Sequence, residues 1–114
     1  MQSWEGAELL AQMGILRRRD RDYAGAAELF SKACRIHEHL ETLETDKGAL
    51  LILNIAIVLR EQGDAVTALH TLHRAKDLAM KANVWRTNIG ALILRNTAHS
   101  KEDMGDHDGA HADY

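Results

Sequence analysis

A two-part pattern of small and bulky residues recurs in this chain and limits its fold more than composition does. The first copy is Gly14, Asp22-Tyr23, Ala26, Phe30 and Ala33; the second is Ala56, Gly63-Asp64, Ala68, Leu72 and Ala75. In each copy small residues fall where two helices joined by a polar turn would approach closely, and one bulky residue fills the space between them. An internal repeat of this kind predicts antiparallel helices that bury their faces by packing on neighbouring copies. The usual work of such an array is to hold another chain.

The rest of the composition agrees with an all-α reading. Proline is absent from the 114 residues, which suits uninterrupted helices, and a hydrophobic content of 46% suits a folded chain. With one Phe, two Tyr and two Trp, the core has to be built from Leu, Ile, Ala and Met. Fourteen basic against 17 acidic residues leave a net charge of -3, so no overall positive field attracts a phosphate backbone. Nucleic acid is therefore not an expected partner. The single cysteine cannot form an internal disulfide. No secretory-type leader or membrane-length apolar run is seen, since Asn54 interrupts the longest greasy stretch, Ala49 to Leu59. A soluble, cytoplasmic chain without a membrane partner is expected.

Helix signals place five segments. Ser3 caps a first helix to Arg18, with Leu9, Leu10, Met13 and Leu16 as its expected apolar face. Arg17, Arg18 and Arg19 then suit the dipole at its carboxyl end. Asp22 caps a second helix whose apolar side is Tyr23, Ala26, Ala27, Phe30, Ala33, Cys34 and Ile36, ending at Leu40 or Leu43. Thr45 or Asp46 caps a third helix to Glu61, apolar on most sides. Gly63 ends it, and Asp64 opens a fourth over Ala65–Lys81. Asn83 precedes a fifth stretch, Val84 to Arg95. Residues 1–100 are expected to form the helical domain, and the polar run 101–114 a flexible tail.

The residues of the recurring pattern, from Gly14 to Ala33 and again from Ala56 to Ala75, resemble the tetratricopeptide repeat family. The resemblance covers about Ala7 to Arg95, or roughly two and a half repeats. It departs from the family at Arg17, where a large apolar residue is usual. The distance from Ala26 to Ala68 also exceeds the family's usual period of about 34 residues. That longer spacing is similar to the repeats of kinesin light chain and of cell-polarity adaptors. The resemblance implies a short right-handed solenoid of stacked helical hairpins, with the first helix of each pair lining a peptide-binding groove. On that geometry Gln12, Arg19, Leu53, Asn54, Ile57, Asn88 and Arg95 would meet the peptide. Asn54 and Asn88 would serve best, since an amide both donates to and accepts from a partner's backbone. The subtype that clamps a terminal carboxylate is not matched, because Ala11 and Ile15 stand where Lys and Asn would be required.

No constellation for catalysis stands out. His70 and His73 share a helix side without a third ligand in sequence, and the tail's Asp106, His107, Asp108 and His111 could chelate only weakly. Cys34 reads as a core thiol. No enzyme activity, cofactor, metal or small-molecule substrate is expected. The leading expectation is a non-catalytic scaffold or adaptor binding another protein or peptide. The alternative is a homo-oligomer pairing through exposed helical ends at Leu92, Ile93 and Leu94. Helix three, with apolar residues on both sides, requires either neighbours on two faces or a partner on one.

Overall fold

The computed structural model describes residues 3–108, which form five helices. These are α1 (Trp4–Arg19), α2 (Tyr23–Leu40), α3 (Asp46–Glu61), α4 (Ala65–Lys81) and α5 (Asn88–Asp108). Four start on the expected cap. The side chains of Ser3, Asp22, Thr45 and Asp64 accept from the backbone N–H of Gly6, Gly25, Gly48 and Thr67, at 3.0 to 3.1 Å. Each satisfies one amide that the first turn leaves without a partner. At Asp64 the hydrogen bonds from Thr67 hold the carboxyl below its usual range.

The same four helices end alike at their carboxyl termini. Arg21, Glu41, Gly63 and Asn83 adopt positive φ, and the following amide bonds back into the last turn. Asp22 N–H donates to Arg17 C=O and Asp64 N–H to Leu59 C=O, each at 2.9 Å. This is the Schellman arrangement, and of the four left-handed residues only Gly63 and Asn83 are of types that favour it. Because the cap follows the left-handed residue at once, α1 turns back on α2 and α3 on α4 with minimal connections.

The core has two halves with α3 between them. Leu51 and Val58 on one side of α3 join Ala7, Ala26, Phe30, Ala33 and Ile36 from α1 and α2. Ala49, Ile52, Leu53 and Ala56 on another side join Leu72, Ala75, Leu78 and Ala79 of α4 and Ile93 of α5. Both apolar faces of α3 are thus covered from within the chain, which accounts for its surplus of apolar residues. Between α1 and α2 the approach is close: a Cβ on Gly14 would lie 2.6 Å from the Phe30 ring, which is fully buried.

The expected right-handed solenoid of stacked hairpins is not what forms. Helix α3 packs against all four other helices, α5 folds onto both α3 and α4, and the remaining packing joins consecutive helices. The radius of gyration is 14.1 Å, near the ~13 to 14 Å of a compact chain of this length. The chain is a compact five-helix bundle around α3 rather than an elongated superhelix. Small residues at 14, 26, 56 and 68 report how closely neighbouring helices approach; they do not dictate stacking in one direction.

Two further expectations are corrected. Helix α1 is rotated from the expected setting: it packs through Ala7, Leu10, Ala11, Gly14 and Ile15. Leu9 and Leu16 are 63% and 56% exposed, and Met13 is 40% exposed. The small face is turned inward because Phe30 needs the space above Gly14. Helix α5 starts later and runs further than expected. Asn83 closes α4 with a φ of 61° instead of opening a helix, and Val84 N–H caps Ala79 C=O at 2.9 Å. The chain then folds Trp85 under Lys76 Nζ, 5.2 Å from its ring centroid, before Thr87 leads into α5. Beyond residue 100 the helix continues to Asp108; the rest of the expected tail lies outside the described residues.

The Gly14–Phe30 contact yields a test. Gly14→Ala gains about 1 kcal/mol of helix propensity but forces a methyl into a ring that has no room to move. A net loss of about 1–3 kcal/mol is expected, measured as a lower midpoint in thermal unfolding by circular dichroism. Adding Phe30→Leu should recover part of it.

Candidate functional site

Helices α1 and α3 lie side by side and leave a narrow cleft between them. On α1 it is lined by Glu8, Ala11, Gln12 and Ile15, and on α3 by Lys47, Leu50, Leu51 and Asn54. Both sets follow the i, i+3, i+4, i+7 spacing of a single helix face. Ala11, Ile15, Leu50 and Leu51 make an apolar floor with polar groups at the rim. His37 reaches the cleft from α2.

The rim is partly pre-ordered. Glu8 Oε1 accepts from Lys47 Nζ at 3.3 Å and from Gln12 Nε2 at 3.2 Å, linking the two walls. Lys47 Nζ also stands 5.8 Å from the centroid of the half-exposed Trp4 ring, within cation–π reach. Asn54 is half-buried and makes no side-chain hydrogen bond among the described residues. Its donor and acceptor therefore remain available at the cleft.

His37 is the buried titratable group of this region, 4% exposed. Its Nδ1 lies 2.8 Å from Thr42 Oγ1, so the hydroxyl and the ring share a proton-bearing contact that also fixes the loop between α2 and α3. Burial pushes the imidazole below its usual value, while the Thr42 backbone and the Glu8 charge pull weakly upward. The neighbouring His39 is exposed, as alternation around the helix requires.

The residues expected at a binding groove are only partly brought together. Gln12 and Asn54 line the cleft from opposite walls. Leu53 does not contribute, because it is 1% exposed and belongs to the core of α3, α4 and α5. Ile57 packs at the edge of that core, and Arg19 is exposed at the end of α1. Asn88 and Arg95 are exposed on α5 and do not line the cleft. Of the residues expected at a self-association surface, Ile93 is buried at 1% exposure and Leu92 packs on the core. Only Leu94 is largely exposed there. Lys47 and His37 line the cleft although neither is expected at a groove from the sequence. Lys47 could have been found from its place one turn before Leu50 and two before Asn54.

The other sequence candidates are dispersed. Of the arginines at the end of α1, Arg17 pairs with Asp22 at 3.2 Å, and Arg18 reaches across to Glu61 at the end of α3 at 2.7 Å. Cys34 is half-buried, and burial followed by the Glu38 charge raises its thiol pKa. His70 and His73 are exposed, and among the described residues no three His, Cys, Asp or Glu side chains converge as a metal site. His111 and the side chains of Asp106, His107 and Asp108 lie outside the described residues. No helix among the described residues is long and apolar enough to cross a membrane.

No family model matches this chain, and no curated protein matches it. Together with the compact packing around α3, this overturns the resemblance to tetratricopeptide repeats. The pattern that suggested it is accounted for by the close approach of Gly14 to Phe30 and by the burial of Ala56 and Leu72 in one core, which a helical bundle of any topology can use. What remains is a small all-helical domain with a polar-rimmed cleft between α1 and α3.

The depressed His37 pKa sets the sign of a pH response. In the unfolded chain this imidazole protonates near 6.5, whereas in the fold it resists protonation. Its contribution to stability is therefore complete above pH 6.5 and declines as the pH falls toward its folded pKa. Denaturant midpoints at pH 7.5 and pH 5 should show a loss of stability on acidification that is smaller in His37→Gln.

Proposed function

We propose that the chain is a non-catalytic protein-binding domain that holds an extended peptide segment across the α1–α3 cleft. The observation that carries this reading is the meeting of Gln12 and Asn54 on opposite walls of one apolar-floored cleft. An amide at each wall can serve both the N–H and the C=O of a peptide backbone. Ala11, Ile15 and Leu50 supply shallow apolar contact beneath, and Lys47 with Trp4 supplies a polar and aromatic rim. The cleft is too small to enclose a small molecule. Its free volume is about 30 Å³, against roughly 300–1,000 Å³ for pockets that enclose small molecules.

A peptide bound in this way depends on Asn54 more than on the α5 residues. Selection from a random peptide library displayed on phage provides the ligand, and fluorescence anisotropy of a selected peptide provides the affinity. Asn54→Ala should weaken binding about 3- to 10-fold, the loss of one to two modest hydrogen bonds, with the helical circular dichroism unchanged. Asn88→Ala should leave affinity unaltered. Equal binding by wild type and Asn54→Ala would overturn the assignment of the cleft.

A further inference from the structure

The face of α1 opposite the core carries Leu9, Met13 and Leu16, spaced i, i+4, i+7 on successive turns. Single exposed leucines are ordinary on protein surfaces. A continuous stripe of three, on a helix whose small residues face inward, is not. It borders a groove of about 260 Å³ between α1 and α2, lined by Met13, Arg17, Gly25, Glu28 and Leu29. Among the described residues nothing else covers this face, since α1 packs only on α2 and, more lightly, on α3.

We infer that this face joins two copies of the chain through an antiparallel, two-fold pairing of α1 with α1. The stripe is self-complementary about its midpoint. A two-fold axis passing beside Met13 sets Leu9 of one copy opposite Leu16 of the other, and the reverse, with the two Met13 side chains meeting at the centre. The charges agree with this direction. Glu5 lies in the first turn of α1 and Arg19 in its last, and neither has an ion-pair partner among the described residues. The 16 residues of α1 span about 24 Å, so antiparallel alignment brings Glu5 of each copy level with Arg19 of the other at both ends of the contact. A parallel pairing would set Glu5 against Glu5 and the arginine cluster against itself. Opposed helix dipoles add to the preference. Because the two copies use the same patch, the assembly closes at a dimer. This surface is separate from the α1–α3 cleft, so each can fail without the other.

Sedimentation equilibrium over a concentration series tests the pairing. The wild-type mass should rise from 12.7 kDa toward twice that value and no further. Leu9→Glu and Leu16→Glu, both at exposed positions and expected to fold normally, should each weaken dimerisation at least about 30-fold, because each removes an apolar contact at two symmetry-related places. Glu5→Arg and Arg19→Glu should each weaken it a few-fold, and the double variant should recover it. Leu94→Glu, on the far side of the bundle, should change nothing. A wild-type mass fixed at 12.7 kDa across the series overturns the inference. So does a dimer that withstands both leucine substitutions, or one lost on Leu94→Glu.

Discussion

Burial of α3 on both of its apolar faces is the constraint from which the rest of the structure follows. A helix with Leu51 and Val58 on one side and Ile52, Leu53 and Ala56 on another cannot lie on a surface without exposing several bulky side chains to water. Each of these is worth about 1.5–3 kcal/mol when fully buried. The chain meets the requirement by placing α1 and α2 against one side and α4 and α5 against the other. The positions of α1 and α5 are thus consequences of α3, and so is the cleft, whose α3 wall is the strip of that helix left between the two cores.

Signals that act over a few residues are legible in the sequence. Ser3, Asp22, Thr45 and Asp64 each cap the helix expected of them, and the bounds of α4 are those expected from Asp64 and its apolar period. Signals that depend on the partner helix are not. The bulky residues of α1 marked one face as apolar, yet the face that packs is the one with Gly14, because a fully buried Phe30 occupies the space that a side chain there would need. Asn83 is equally ambiguous, since an asparagine can cap a helix start or take the left-handed turn at a helix end. Only the competing hydrogen bond from Val84 to Ala79 decides it.

The placement of the candidate residues is legible in the sequence only in part. Asn54 and Gln12 were singled out and do share a cleft, whereas Leu53, one residue from Asn54, faces the core. A change of about 100° per residue separates the two roles, and no periodicity within α3 alone fixes which side meets α1. The place of His37 follows from its burial against the loop after α2, which its spacing to other polar groups does not show. The family resemblance failed for a related reason. Alternation of small and large residues constrains the distance between two helices and leaves the arrangement of successive pairs undetermined.

The helix ends have a consequence for the evolution of this chain. Arg21 and Glu41 hold left-handed backbone that a Cβ disfavours by about 1–2 kcal/mol, a cost that glycine at Gly63 avoids. Both side chains are exposed and lie away from the core and the cleft. The molecule therefore carries an unused reserve of stability at its turns, reachable by single substitutions that alter no packed contact. Such a reserve lets a lineage tolerate destabilising change around the cleft while the bundle stays folded.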